Sequence, residues 1–387
     1  MRFRDEVGQS LTLKFAESAG RRKASGQSII SLGLGEPDFS TPTSIVEATQ
    51  RVLAEGDSRY SSPMGWPLLR EKVAAKLLNE NKIKCEPGNI LVTAGAKQAF
   101  QIVCMAMLEP GDEVIVVAPA FVSFIPQLCL AEPDCVIKTV NISKSGFSAP
   151  IQQLKESISK KTKLVIINSP NNPAGYVFSA DEMRSVFEMI EKSSAYLISD
   201  EIYEKLNFSA ESMLSPGSLE EQPERVITIN GYSKSHAMTG WRLGYACIPN
   251  LLQDKVLKIQ QHMNTNTCTF VQKAVASIDN IDESYLVDYR LKLRGRADLV
   301  SHWASSTKGV SVIEPQAGFF AFLNISDLDL GSNDFCGQLI EQTGVATTPG
   351  LAFGDGWDDH VRLSFAVPES TLNEGLERIA DYLKSVY

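Results

Sequence analysis

Arg225-Val-Ile-Thr-Ile-Asn-Gly-Tyr-Ser-Lys-Ser-His-Ala-Met-Thr-Gly-Trp-Arg-Leu-Gly-Tyr245 runs from an apolar, β-branched stretch through a Gly/Ser/Thr-rich segment into a second apolar stretch, Gly244-Tyr-Ala-Cys-Ile248. Unbroken Val/Ile runs of this length read as strands buried on both faces. Between the two strands lie Lys234 and, eight residues on, Arg242. An amine and a guanidinium so spaced have the layout to hold an aldehyde cofactor as an imine while the cation grips its phosphate. A lone lysine is ordinarily a solvated surface charge, so the case for Lys234 rests on its company elsewhere in the chain.

Runs of the same kind recur on the N-terminal side. Asn89-Ile-Leu-Val-Thr, Glu113-Val-Ile-Val-Val-Ala, Lys163-Leu-Val-Ile-Ile-Asn and Ala195-Tyr-Leu-Ile-Ser read as further buried strands. Lys97 to Leu108 and Ala180 to Lys192 have helical period, the second opened by Ser179 as a cap. This alternation predicts an α/β fold, a mostly parallel sheet covered by helices, in which ligands sit at the carboxyl ends of the strands. Beyond Pro249 the pattern changes to long helices, roughly Leu251 to Met263, Thr269 to Ile278 and Glu283 to Ser305. An α+β tail follows, with Phe319-Phe-Ala-Phe-Leu, His360-Val-Arg-Leu-Ser-Phe and a final helix over Leu372 to Val386. No internal repeat, coiled coil or low-complexity linker interrupts the chain.

Four short motifs follow one another in order: Asn168-Ser-Pro-Asn-Asn-Pro-Ala-Gly175, Ser199-Asp-Glu-Ile-Tyr203, the Lys234 segment, and Val361-Arg-Leu-Ser-Phe365. Their order and spacing resemble those of the class I/II aminotransferases, the fold type I enzymes that use pyridoxal phosphate, from about Ser31 to Ala366. The resemblance implies a large cofactor domain over residues 41–289 and a small α+β domain built from residues 1–40 and 290–387. It also implies a homodimer with shared active sites, since Tyr60 matches a tyrosine that reaches the phosphate in the neighbouring subunit.

Residue by residue, the resemblance assigns Lys234 as the catalytic amine that forms the Schiff base. Gly95, Ala96 and Lys97, in Thr93-Ala-Gly-Ala-Lys-Gln98, match the phosphate cup, Ser233 a hydroxyl donor to the phosphate, and Arg242 the arginine that forks onto it. Alone, Thr93 to Gln98 reads more readily as a helix N-terminus without a ligand; the resemblance reverses that preference. Asp200 matches the carboxylate that keeps the pyridine nitrogen protonated; Tyr203 and Asn172 match donors to the ring hydroxyl oxygen. Phe121 matches the stacking aromatic, where many relatives carry tryptophan. Arg362 matches the arginine that takes the substrate α-carboxylate, with Gly35 closing over it and Asn172 as a second contact; the bland reading of Arg362 is an exposed edge-strand residue. Lys97 and Thr12 resemble the pair that reaches a distal carboxylate in one branch of the aspartate aminotransferases. Ala174 departs from the usual threonine.

The implied activity is transfer of an amino group from an amino acid to a 2-oxo acid, with a dicarboxylic donor or acceptor such as aspartate, glutamate or 2-oxoglutarate. Aminotransfer from neutral or aromatic donors, and lyase or racemase chemistry on the same scaffold, remain open alternatives. A dinucleotide-binding dehydrogenase is disfavoured because Gly33-Leu-Gly35 lacks the third glycine in register and runs into Glu-Pro-Asp. A silent, ligand-binding relative would be expected to lose Lys234, Asp200 or Arg362, all three of which are present.

Composition limits the rest. A formal net charge of −9 argues against a nucleic-acid partner, whose backbone requires a concentrated basic surface. Seven cysteines without a C-x-x-C pair, and four histidines without H-E-x-x-H, give neither a disulfide framework nor a metal shell. The cysteines read as reduced core residues. The N-terminal Met1-Arg-Phe-Arg-Asp-Glu-Val has no apolar core, and no stretch approaches about 18 uninterrupted apolar residues. A cytoplasmic protein with neither leader nor membrane span is the expectation.

Overall fold

Seven apolar runs lie side by side in one sheet of the computed structural model, which describes residues 7–56, 58–209, 212–278 and 281–386. The chain enters through α1 (Leu11–Ala24), the short β1 (Ile30–Ser31), α2 (Thr43–Ala54) and α3 (Pro67–Lys76). The large sheet is then built from β2 (Ile90–Thr93), β3 (Glu113–Ala118), β4 (Val136–Asn141), β5 (Thr162–Asn168), β6 (Tyr196–Asp200), β7 (Val226–Gly231) and β8 (Gly244–Cys247). Between these strands run α4 (Ala96–Met107), α5 (Phe124–Ala131), α6 (Ile151–Ser157) and α7 (Ala180–Glu191). Their spatial order is β2-β8-β7-β6-β5-β3-β4, and β8 alone runs against its neighbours.

The six strands expected from apolar runs form here within a residue or two of the limits read from sequence. Leu164 to Ile167 are fully buried, worth about 1.5–3 kcal/mol for each large side chain taken out of water. Strand β4 was not anticipated. It is the sheet edge, with Val136 48% exposed and Lys138 paired to Glu113 of β3 at 2.8 Å, so it lacks the unbroken apolar pattern. Ser179 opens α7 as expected: its Oγ accepts from the Glu182 N–H while its own N–H donates to the Glu182 carboxylate.

Beyond the sheet come α8 (Gln253–Met263), α9 (Thr269–Ser277) and the long α10 (Ser284–Ser306). Then follow β9 (Ser311–Val312), β10 (Phe320–Asn324), α11 (Ser332–Thr343), β11 (Val345–Ala346), β12 (Thr348–Pro349), β13 (His360–Ser364) and α12 (Glu369–Val386). The antiparallel set β12-β13-β10-β9 covers a second core containing Leu286, Tyr289 and Leu293 of α10, and β1 joins it through parallel pairing with β11. The domain limit expected near residue 290 thus falls inside α10, an unbroken helix.

None of the seven cysteines forms a disulfide; Cys104, Cys247 and Cys336 are buried in the cores, and the half-buried Cys85, Cys135 and Cys268 pack against them. Among the described residues no helix is long and apolar enough to cross a membrane, and no His/Cys/Asp/Glu group could hold a metal ion. Met1 to Glu6, which bear most of the reading of the N-terminus, lie outside the described residues.

Candidate active site

A cavity of about 470 Å³ opens where the carboxyl ends of the parallel strands face the small sheet. Twelve of the residues expected at a cofactor or substrate site line it: Thr12, Gly35, Ala96, Lys97, Phe121, Asn172, Asp200, Tyr203, Ser233, Lys234, Arg242 and Arg362. Two do not. Gly95 lies directly behind the wall, and Tyr60 is 86% exposed outside this chain's own cavity.

At one end, Gly95 precedes α4 with φ +84°, and the first N–H groups of the helix, those of Ala96 and Lys97, have no intrahelical acceptor. The Arg242 guanidinium lies across this turn, donating through Nη1 to the Thr239 carbonyl at 2.8 Å and through Nη2 to the Ala94 carbonyl at 3.0 Å. The packing leaves no room for a side chain: a Cβ on Gly95 would stand 2.5 Å from Arg242 Nη2, and one on Gly244 would stand 2.5 Å from the Ala96 nitrogen. Arg242 itself is held at φ +56°, a strained conformation for a non-glycine residue. Lys97 points over Phe121, its Nζ 5.4 Å from the ring centre, and burial, then Arg242, lower its ammonium below the usual range. Two cations, a helix N-terminus and the Ser233 hydroxyl at the wall form a seat for a dianion.

At the other end, Asp200 closes β6. Burial pushes its carboxyl up to about 7, against the opposing pull of the Ile202 N–H, 3.2 Å from Oδ1, and of Lys234. Lys234 reaches into the cavity, where Nζ donates to the Gly35 carbonyl at 2.5 Å. Burial brings its amine down to about 8, a shift Glu36 opposes and the charges of Arg362 and Arg242 reinforce. Tyr203, hydrogen-bonded to Asn172, has its hydroxyl pushed up mainly by burial.

Arg362 sits in the middle of β13, between β12 and β10, and is only 4% exposed, which removes the edge-strand reading. Nη1 donates to Asn172 Oδ1 at 3.0 Å; Nη2 donates to the Gly33 carbonyl at 2.7 Å and to Thr348 Oγ1 at 3.3 Å. The Phe320 ring lies under the guanidinium, 4.3 Å from Cζ. Nε is buried without a partner.

Three supporting groups were missed in the sequence. The Asn168 side chain donates to the Asp200 carbonyl at 2.9 Å and accepts from the Asn172 N–H at 2.8 Å, tying two motifs together. Its place at the head of the Asn168–Gly175 motif was the available signal. Gly33 acts through its carbonyl and Thr348 through a strand that pairs with β13, so neither leaves a pattern in the sequence.

The donor set fits pyridoxal phosphate. The dianion seat suits the phosphate, the buried Asp200 carboxyl on the cavity wall suits a protonated ring nitrogen, and the Lys234 amine opens into the same cavity, where the charges of both Asp200 and Arg362 act on it.

Comparison with known proteins shows the family. The family model described as aminotransferase class I and II matches residues 27–379. An aspartate aminotransferase of Thermotoga maritima is 37% identical over 380 residues, covering 98% of each chain. A probable aspartate/prephenate aminotransferase of Thermus aquaticus is 37% identical over 370 residues, covering 94% of this chain and 93% of its own. The solved aspartate aminotransferase of Thermus thermophilus with maleate superposes with a TM-score of 0.93 at 33% identity over 98% of both chains. With the motifs in family order and their residues gathered at one cavity, this chain belongs to the class I and II aminotransferases.

Proposed function

We propose that this aminotransferase uses pyridoxal phosphate to move the amino group of a dicarboxylic amino acid, of the aspartate or glutamate type, to a 2-oxo acid. The observation that carries the reading is one cavity in which burial brings a lysine amine down to about 8 and a carboxyl up to about 7, beside a buried guanidinium with an unpartnered Nε. When bound, the cofactor supplies an aldehyde for a lysine and an electron sink for the charge left at a substrate Cα.

The chain's own residues do the rest. Arg242, Ser233 and the N-terminus of α4 would hold the phosphate, Phe121 one face of the ring, and Tyr203 and Asn172 its hydroxyl oxygen. Asp200 would hold the ring nitrogen in its protonated form. Arg362 binds and orients the substrate carboxylate, for which the fork-shaped guanidinium is suited. Lys234, with its amine near neutrality, can take a proton from Cα and return it, as a general base should.

Thr12 and Lys97 line the same cavity and support a second, distal carboxylate grip. The relative solved with maleate, a dicarboxylate, is in keeping with this. Leu13, Ala16 and Leu34 add an apolar wall, which favours aromatic donors as the second reading, and one group of relatives is named for both aspartate and prephenate. Exposed Tyr60 supports a homodimer in which each chain completes its neighbour's phosphate site. The two cores support a large and a small domain, and reduced cysteines are in keeping with a cytoplasmic location.

Borohydride treatment of the purified holoenzyme followed by peptide mapping tests the reading. A cofactor-derived mass on Lys234 is expected; an unmodified Lys234 refutes it.

A further inference from the structure

The Gly33-Leu-Gly-Glu36 segment touches both working cations of the cavity: the Gly33 carbonyl accepts from Arg362 and the Gly35 carbonyl from Lys234. A segment with two glycines in four residues has little conformational preference of its own. Apart from the Thr348 hydroxyl, which also donates to the Gly33 carbonyl at 3.2 Å, its position is therefore set by its ends. Upstream, Leu32 is fixed in the small sheet, its N–H donating to Ala346 at 2.8 Å and its carbonyl accepting from the Ser364 N–H at 2.6 Å. Downstream the anchor is helix α10.

Asp38 is held there by two groups. The Tyr289 hydroxyl donates to Oδ1 at 2.9 Å, and Arg296 Nη2 lies 2.9 Å from Oδ2, with the two charged side chains only 11% and 18% exposed. Phe39 packs against Tyr289 and Tyr285, with ring centres 4.4 and 5.5 Å away. The Tyr285 hydroxyl in turn donates to the Ser235 carbonyl at 2.7 Å, next to Lys234. Residues 285, 289 and 296 are spaced by four and seven, so one face of α10 grips both the glycine loop and the lysine segment.

We infer that Tyr289 and Arg296 are positioning residues: acting through Asp38, they hold the Gly33–Glu36 loop against Arg362 and Lys234 and so set the affinity of the site for carboxylates. Neither residue lines the cavity. The pair acts on the fraction of molecules in which the loop carbonyls already orient the guanidinium, and binding weakens in proportion as that fraction falls. The inference rests on the reading that Arg362 takes the substrate carboxylate.

The test is calorimetry on the holoenzyme with succinate and with 3-phenylpropanoate, which share one carboxylate and differ in the second, alongside steady-state kinetics. Arg296→Met, which keeps the aliphatic stem, should raise Kd for both acids about tenfold, the scale of a lost charge-assisted bond, and raise KM likewise. kcat at saturation should stay within about threefold of wild type, because no group that touches the reacting atoms is altered. Tyr289→Phe should weaken binding less, about threefold, while Arg296→Lys restores part of the affinity. A shift in the urea midpoint of Arg296→Met with unchanged Kd overturns the inference and leaves Arg296 a stabilising residue only. Unchanged Kd in both variants, or a fall in kcat without a change in KM, also overturns it. Wild-type holoenzyme that binds neither acid refutes the Arg362 grip itself, and the inference falls with it.

Discussion

Asn172 Oδ1 accepts from Arg362 Nη1 at 3.0 Å, which fixes the rotation of a guanidinium whose Nε remains buried and unpartnered. A buried donor without an acceptor costs about 1–3 kcal/mol, and a ligand carboxylate can remove that cost. Lysine has no fork to share between Asn172, the Gly33 carbonyl and a ligand. Arg362→Lys should therefore lower kcat/KM for amino-acid donors by at least about a hundredfold, the effect of roughly two such bonds. It should change the rate with a primary amine lacking a carboxylate by much less. Equal losses for both donors would remove Arg362 from carboxylate binding.

Lys234→Ala should abolish turnover, because the other amine lining the cavity, that of Lys97, lies over Phe121 and under the influence of Arg242 rather than of Asp200. The phosphate seat at Arg242 and the N-terminus of α4 is separate from Nζ, so the variant should fold and retain some cofactor. Near-normal turnover would show that the catalytic amine lies elsewhere.

The cofactor-stripped protein should have a stability profile with a definite sign. Asp200 in the folded state titrates at about 7, above its ordinary 3.8, so the folded form binds more protons than the unfolded form between these values. Stability from this group accordingly falls as pH rises from about 4 to about 7 and is flat above. Lys234, lowered to about 8 from 10.5, has the opposite window: its penalty is present below 8 and is relieved between 8 and 10.5. Asp200→Asn should thus be more stable than wild-type apoprotein above pH 7, by a few kcal/mol at most, since each tenfold change in proton affinity is worth about 1.4 kcal/mol. The gain should vanish as pH falls toward 4. Urea midpoints across this range check it, and a gain that persists at pH 4 would contradict the burial argument.

How much of this was legible beforehand depends on how each residue acts. Asp200 and Lys234 announce themselves because one closes and the other follows an unbroken apolar strand, and strand ends in a parallel sheet converge on one edge; Arg242 comes just before β8, whose reversed direction puts its start at that same edge. Arg362 was legible only through its motif, since a central position in β13 is set by its pairing partners Phe322 and Thr348, on two strands well separated from it and from each other along the chain. Gly33 and Thr348 escaped notice because a carbonyl and a lone threonine on a two-residue strand have no periodicity. Strand β4 was missed for the opposite reason: an edge strand tolerates the exposed Val136 and the ion-paired Lys138.

Tyr60 makes the assembly testable. An aromatic side chain 86% exposed, outside the cavity of its own chain, does nothing for that cavity as a monomer. In a dimer with shared sites, Tyr60→Phe should raise the dissociation constant for the cofactor by about three- to tenfold, the loss of a hydrogen bond to a charged group, while sedimentation still gives a dimer. A fully active monomer at nanomolar concentration would refute the shared site.

A substitution at Lys97 tests the donor class. Its Nζ lies 5.4 Å from the Phe121 ring centre, in the same cavity as Thr12, and burial followed by Arg242 lowers its pKa. The influence of Arg242 points toward the phosphate seat; the position over Phe121, in a cavity that Thr12 also lines, points toward the substrate. No arginine occurs in Asn264-Thr-Asn-Thr-Cys268, where other branches of the family place a partner-chain arginine for a distal carboxylate, so in this chain Lys97 would do that work without one. A charge-assisted hydrogen bond contributes about 1.5–3 kcal/mol, so Lys97→Ala should lower kcat/KM for aspartate and glutamate roughly ten- to a hundredfold. Phenylalanine and alanine, which have no second carboxylate, should lose little. A phosphate role gives a different pattern: equal losses for all donors, together with weaker cofactor retention on gel filtration. That outcome would assign the enzyme to neutral or aromatic donors, with Leu13 and Leu34 as the wall against which their side chains pack.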